Sequence, residues 1–555
     1  MNWLTHFLWI FSLSVLFLAN RLHFIHHRVD LTSDKRYSLS TTTIELIEDV
    51  SQLITIDILL SGHLPPSFLR LRSELDQFLE LITEKTDSIV INMVDSKWLE
   101  NNQNANLISE NLGIQPHYVF KQIRNTTNQT TVFPWLIIHN ETASFPISLL
   151  SSKQSLTQPE LVLESIELLE KTLLEGIYQA AIKNKKNIAV LKSNKTSDDL
   201  YLTDWLLSLK KYYDLASFDF KAAGISTQKT YENLNRFEVL IISNPREEFT
   251  LEEKFIIDQF TCHGGRIIWL INPLDVNLKN LYQTENGYLP QINDLAMDDL
   301  FFKYQFRFQN QLVADLYASP IVLATGKNES SQYAPFLYPY FPIIQPNQNH
   351  PISNRINSVW TRLTSPIDTL KGDLNKTVLL ASSEYSKGSG YPIRLDLKTA
   401  GQTPEFESFN QQHFMVGILV EGLFESLFTH RIHPFDMDDF KNNGHSAWLV
   451  ITDGNFGENQ IEQSRPLPLG YDKWTNNTYE NKSFLVNSVH HLTGHHEILS
   501  LGQKKMSLSQ LDLVKIERNE MGIKLFMISI PLIVIGVLWV LIQILVKHPK
   551  KTIIN

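Results

Sequence analysis

Apolar positions form long runs at the two ends of the chain and shorter, periodic patterns between them. Residues 525–546 (LFMISIPLIVIGVLWVLIQILV) carry no charge. Their length and composition predict a transmembrane helix, in which Pro531 and Gly536 are tolerable. Residues 7–19 are apolar apart from Ser12 and Ser14. No Lys or Arg precedes them, and Leu18-Ala19-Asn20 is a poor cleavage site. They therefore read as an uncleaved anchor rather than a signal peptide. The tail Lys547-His548-Pro549-Lys550-Lys551 predicts a cytoplasmic C-terminus. Two spans then put the N-terminus inside as well and the body between them outside, although Arg21 and Arg28 run against this count.

Between the ends the pattern alternates between strand and helix periods. Residues 53–60 (LITIDILL) and 89–94 (IVINMV) read as buried strands. Between them Phe68, Leu71, Leu75, Phe78, Leu79 and Ile82 recur at three- and four-residue steps, one helical face. This is a βαβ unit, whose strands are expected to be parallel. Residues 118–123 and 132–139, separated by NTTNQT, predict an antiparallel hairpin. The layout resembles a thioredoxin-like α/β domain, without its C-x-x-C motif. Residues 159–183 follow as one long helical pattern.

A second alternation begins at residues 188–191 (IAVL) and continues through 239–242 (VLII) and 267–271 (IIWLI), with helices predicted over 198–213 and 250–262. Thr250 and Glu253 form a capping box for the latter. Such alternation predicts a parallel sheet covered on both faces. Residues 377–381 (TVLLA) and 448–452 (WLVIT) are further buried strands, and 275–375 are less regular. The expected fold class is α/β: a thioredoxin-like domain plus a larger parallel-sheet domain, flanked by two transmembrane helices. The expected segments are an anchor over 1–27, a first domain over 28–155, a connecting helix over 156–185 and a second domain over 186–505. A juxtamembrane stretch over 506–524, the span over 525–546 and a basic tail over 547–555 complete the chain.

Composition narrows the function. The chain has 555 residues with 49 basic and 59 acidic side chains, a formal charge of −10. That balance argues against a whole-chain nucleic-acid binder. The single cysteine, Cys262, excludes an intramolecular disulfide and any site needing two thiolates. It falls at the end of a predicted helix, before His263-Gly264-Gly265, which is the wrong place for a nucleophile elbow. No G-x-x-x-x-G-K-[ST] loop is present, so the chain has no P-loop ATPase of its own. The segment VHHLTGHHE spaces His491 and His495 four apart, as two ligands on a helix would be, but Gly494 weakens that helix. His490, His491, His495 and His496 therefore read as turn or solvated histidines.

Asp453-Gly454-Asn455 directly follows the strand WLVIT. Ligands of open α/β sheets bind at the carboxyl ends of strands, so Asp453 and Asn455 are candidate ligand-binding residues. Asp-Gly is equally a common turn pair. His350, in His350-Pro351-Ile352 of the polar insertion, is a third candidate and also reads as a turn residue. No catalytic residue, metal or cofactor is assigned.

Several segments together resemble the gliding-motility ABC-transporter auxiliary proteins of the Bacteroidetes, the GldG family. They are Asp30-Leu31-Thr32 with Lys35-Arg36-Tyr37-Ser38-Leu39-Ser40, LLSGHLPPSFLRLRSEL, His350-Pro351-Ile352, ITDGNFGENQ, and above all PLPLGYDKWTNNTYENKSFLVNSVHHLTG. The chain departs from the family at Asp453-Gly454-Asn455, where Asp-Gly-Asp is expected, which argues against a metal there. The resemblance implies an amidotransferase-like, non-catalytic α/β domain. It also implies a non-enzymatic auxiliary subunit at the bacterial inner membrane, its bulk in the periplasm, partnered by an ABC ATPase and a polytopic permease. Two alternatives stand beside it: a periplasmic solute-binding module with its ligand near Asp453, and an amidotransferase- or hydrolase-like enzyme.

Overall fold

The computed structural model describes residues 38–95, 98, 102–123, 126–151, 156–284, 286–325, 332–410, 413–500 and 519–547. The N-terminal apolar run and the tail beyond Lys547 lie outside them. The chain divides into two units, 1–504 and 505–555.

The first unit opens with helix α1 (Thr41–Glu48), strand β1 (Ile54–Ile58), helix α2 (Pro66–Thr83), strand β2 (Ile89–Met93) and helix α3 (Asn102–Leu112). β1 and β2 are parallel, with Ile54 beside Ile89. Ile54, Ile56 and Ile58 are buried in alternation. The predicted face of α2, from Phe68 to Ile82, is buried in full. The hairpin is rearranged. β3 (His117–Ile123) pairs with β4 (Thr126–Val132) in a separate ribbon, so the polar run is itself a strand. β5 (Trp135–His139) instead runs antiparallel to β1 and pairs with β6 (Ser144–Ser148). Pro134 separates β4 from β5 because it has no N–H to give a ladder. The sheet order is β2-β1-β5-β6.

The connecting helix is two helices, α4 (Gln158–Glu167) and α5 (Leu169–Ala181), which meet at Leu168 with φ −93° and ψ 0°. α5 approaches the small sheet closely at Gly176. A Cβ there would lie 2.7 Å from Ile138 Cδ1 and 2.9 Å from Ile147 Cγ1.

The larger sheet is built from β7 (Lys186–Leu191), β8 (Tyr213–Phe218), β9 (Val239–Ser243) and β10 (Arg266–Leu270), joined by helices α6 (Asp199–Lys210), α7 (Thr227–Leu234) and α8 (Leu251–Cys262). A ribbon of β11 (Ala318–Thr325) and β12 (Gln332–Ile344) lies in the insertion that follows. β13 (Asn375–Ala381), β14 (Met415–Glu425) and β15 (Asn443–Ile451) complete the sheet in the order β13-β14-β15-β10-β9-β7-β8. β15, β10, β9, β7 and β8 are parallel. β14 runs antiparallel to both neighbours, so the sheet is mixed rather than parallel throughout. A parallel pair needs a crossover, usually a helix. The link between β14 and β15 holds none, so these strands return as an antiparallel pair.

The capping box forms: Thr250 Oγ1 accepts from Glu253 N (3.2 Å) and Glu253 Oε2 accepts from Thr250 N (3.0 Å). Behind the sheet Trp269 and Trp448 pack 5.8 Å apart, and Tyr304 meets Trp448 edge-on at 4.8 Å. Helix α9 (Asn481–Leu492) completes the body.

In the second unit, α10 (Glu520–Lys547) contains Pro531. Its described apolar side chains run from Met521 to Trp539 and are largely exposed. Among the described residues no helix is long and apolar enough to cross a membrane. The expected fold class is corrected accordingly: a mixed α/β protein, with no membrane-crossing helix among the described residues; the expected N-terminal span lies outside them.

Candidate functional site

Three parallel strands of the large sheet end in the same way. β9 runs into Asn244-Pro245, β10 into Asn272-Pro273 and β15 into Asp453-Gly454. Each places a hydrogen-bonding side chain where the ladder stops. Asn244, Asn272, Asp453 and Asn455 are all buried, so each needs a partner there.

They find one another. Asp453 Oδ2 accepts from Arg362 N (2.8 Å) and Oδ1 from Asn455 N (2.8 Å). Gly454 N donates to Asn272 Oδ1 (2.8 Å), and Asn272 Nδ2 donates to Asn244 Oδ1 (3.1 Å). Glu458 collects the rest: its Oε1 accepts from Ser197 Oγ (2.6 Å) and Asn244 Nδ2 (3.2 Å), its Oε2 from Asn455 Nδ2 (2.6 Å). Gly454 is required for this closeness, because a Cβ there would lie 2.4 Å from Asn244 Oδ1. Arg362 comes from the insertion. Its guanidinium stacks 4.6 Å from the Trp360 ring and donates to the Asn455 carbonyl.

Burial pushes the Asp453 carboxyl up to about 6, against the opposing pull of Arg362 and of its two backbone hydrogen bonds. With both oxygens engaged by backbone N–H groups, Asp453 shapes the loop. The sequence-predicted pair thus lies in one network, with Asp453 as the anchor and Asn455 tied to Glu458.

Beside this network lies a cavity of about 550 Å³. From β7 the chain passes to β8 on one side and then to β9 on the other. The cavity lies at this reversal, where open α/β sheets bind ligands. The loop after β7 (Lys195, Ser197) and the loop after β9 (Asn244, Arg246) line it. Asn194, Lys195 and Asn244 hold φ of 57°, 49° and 54°, which L-residues adopt at a cost. Such strain gathers at ligand clamps.

His350 lies elsewhere. Its ring packs 5.0 Å from His491, whose Nε2 lies 3.1 Å from Glu421 Oε1. Burial and the neighbouring His491 lower the His350 pKa. His490 and His495 converge instead on Tyr213, whose hydroxyl lies 2.7 Å from His490 Nδ1 and 3.1 Å from His495 Nδ1. Among the described residues no group of three His, Cys, Asp or Glu is placed to hold a metal. Cys262 is buried, and desolvation followed by the nearby Asp258 charge pushes its thiol well above the usual range. A thiol held protonated in this way is a poor nucleophile.

Sequence reasoning missed Arg362, Glu458, Asn244 and Asn272. The repeated Asn-Pro at strand ends was the available signal for the last two.

The family model for an ABC-type uncharacterized transport system matches residues 185–488, more than half of the chain. A model for a domain of unknown function matches residues 33–139. No curated protein matches at significant similarity. Among solved structures, the mmIFT52 N-terminal domain aligns at 14% identity over 56% of this chain and 97% of its own, with a TM-score of 0.33. A ThuA-like protein from Parabacteroides merdae ATCC 43184 aligns at 9% identity over 56% of this chain and 91% of its own, with a TM-score of 0.27. Likenesses at those scores carry no argument about this chain.

Proposed function

Because the chain belongs to the ABC-type uncharacterized transport system family, and so has an accessory role in transport at a membrane, we propose that it is a non-enzymatic subunit that couples to a polytopic permease and an ABC ATPase. The family match over residues 185–488 carries this reading. The missing P-loop supports it, since a transport system built on this chain must draw its ATPase from a partner. The buried Cys262 supports the non-enzymatic part. A link to gliding motility, and a place for the α/β body on the periplasmic side of the bacterial inner membrane, rest on the GldG-like motifs alone.

The test is affinity purification of the full chain from gently solubilised membranes, with co-purifying proteins identified by mass spectrometry. Stoichiometric recovery of an ABC ATPase and a polytopic permease is expected. Recovery of this chain alone, in detergent that preserves other ABC complexes, would sink the subunit reading.

A further inference from the structure

The strand-end cavity has a charge opposite to that of the chain. Lys195, Arg246, Lys279, Arg362 and Lys473 line it, against the acids Asp198 and Glu458. Lys195 is paired with Glu247 at 2.8 Å and Arg246 with Asp275 at 3.2 Å, and Lys279, Arg362 and Lys473 carry the remaining excess. On a chain of formal charge −10, this local excess of cations selects an anion. Helix α6, twelve residues long, opens onto the cavity at Asp198, whose side chain makes no capping bond. Its first-turn N–H groups add positive potential.

The remaining lining specifies more than charge. Four amides line the cavity. Asn459 and Gln460 are bonded to protein through both atoms. Asn455 Nδ2 donates to Glu458, and Asn277 Oδ1 caps the turn that follows it. Asn277 Nδ2 and Asn455 Oδ1 are thus the amide atoms left to meet a ligand hydroxyl. Asn455 and Arg362 are each more than nine-tenths buried. Yet Asn455 Oδ1 and Arg362 Nε have no hydrogen-bond partner among the described residues. One is an acceptor and the other a cationic donor. At the mouth, Tyr282 and Trp474 are half exposed and offer ring faces. The volume of about 550 Å³ falls in the range for small-molecule sites.

We propose that this cavity binds a small hydroxylated organic anion: a ring compound the size of a single sugar unit, bearing a carboxylate or phosphate. The acidic group sits between Lys279 and the head of α6. The hydroxyls meet Asn277 Nδ2 and Asn455 Oδ1, and the ring lies against Trp474. The proposal goes beyond the subunit reading and stands apart from it: one is read by binding to the purified chain, the other by co-purification.

The test is isothermal titration of the purified full-length chain with glucose 6-phosphate, glucuronate, glucose and inorganic phosphate. Saturable binding of one or both acids is expected, with glucose and inorganic phosphate each at least about tenfold weaker. The acid that binds identifies the phosphate or carboxylate source. Lys279 and Trp474 are exposed, so Lys279→Glu and Trp474→Ala leave the fold intact, as unchanged melting curves will verify. Each is expected to weaken binding about tenfold or more, through a lost charge-assisted bond or a lost ring contact. Failure of both acids to bind, glucose binding as tightly as they do, or affinity unmoved by both substitutions would each overturn the proposal.

Discussion

The two sheets of the first unit begin from the same βαβ logic and end their strands differently. In the small sheet, β1 runs into Leu59 and Leu60, both buried and apolar. Its acidic residue, Asp57, sits mid-strand and half-buried, 3.0 Å from His139 Nε2. In the large sheet, β9, β10 and β15 run into buried amides and a buried carboxylate that bond one another. Burying polar groups costs free energy unless every one is satisfied, and here Asn455 Oδ1 and Arg362 Nε are not. The small sheet ends its strands in apolar packing, whereas the large sheet ends them in the buried polar network beside which the proposed site lies.

That contrast breaks most visibly at the two aspartates. Asp453→Ala removes the acceptor of two buried N–H groups, those of Arg362 and Asn455. Each orphaned donor costs about 1–3 kcal/mol, so a loss of roughly 2–6 kcal/mol is expected in urea unfolding followed by tryptophan fluorescence. A loss under about 1 kcal/mol would mean that the strand-end network is not a structural anchor.

The second effect is on pH dependence. Burial, with smaller contributions from His495 and Lys171, lowers the His490 pKa to about 3. The unfolded chain holds this histidine near its ordinary value of about 6.5. The unfolded state therefore binds the extra proton, and the stability His490 contributes is present above about pH 6.5 and lost as pH falls toward the folded value. Asp453 has the opposite sign: its pKa is raised to about 6, so it favours the fold at low pH and loses that contribution as pH rises through this value. Between about pH 7.5 and pH 5, the wild-type chain is expected to lose about 2 kcal/mol relative to His490→Gln. Parallel stability–pH curves for the two proteins would show that His490 is not buried neutral against Tyr213.

Much of the scaffold was legible because it rests on local periodicity. The face of α2 from Phe68 to Ile82 and the capping box at Thr250 are statements about residues three or four apart, and both stand. The misreadings concern pairing at a distance. Nothing local in residues 132–139 says that Pro134 sends its two flanks to different partners. Nothing in the apolar run of β14 says that it returns antiparallel. The site was half legible: strand-end position found Asp453 and Asn455, but Arg362 reaches Asp453 from an irregular insertion with no period to betray it. His350 shares the polarity of that insertion and belongs to a different cluster, with His491 and Glu421. Run length at the C-terminus likewise predicted a span that the described helix does not supply.

Gly176 sharpens the comparison from the side of the small sheet, whose integrity rests on apolar fit. A leucine there drives its Cβ against Ile138 and Ile147. The ends of those side chains can yield, so Gly176→Leu is expected to cost about 1–3 kcal/mol by overpacking. Chemical denaturation reads it, and a neutral result would show that α5 does not press on the sheet there.

The smallest effect is the matched control for Asp453. Asp57 meets His139 at 3.0 Å and accepts from Asn92 Nδ2 at 3.2 Å. Both partners of the Asp57–His139 contact keep about a third of their side-chain surface in water. Solvent screening and the freedom lost in holding the pair leave such contacts worth about 1 kcal/mol or less. Asp57→Ala is therefore expected to shift the urea midpoint slightly, and less still at high salt, because the released His139 and Asn92 groups rehydrate in place. Asp453→Ala has no such escape, since the two N–H groups that it accepts from are buried. If Asp57→Ala proved as costly as Asp453→Ala in the same assay, strand-end burial would not be what separates the two sheets, and the case for a built site at the large one would weaken with it.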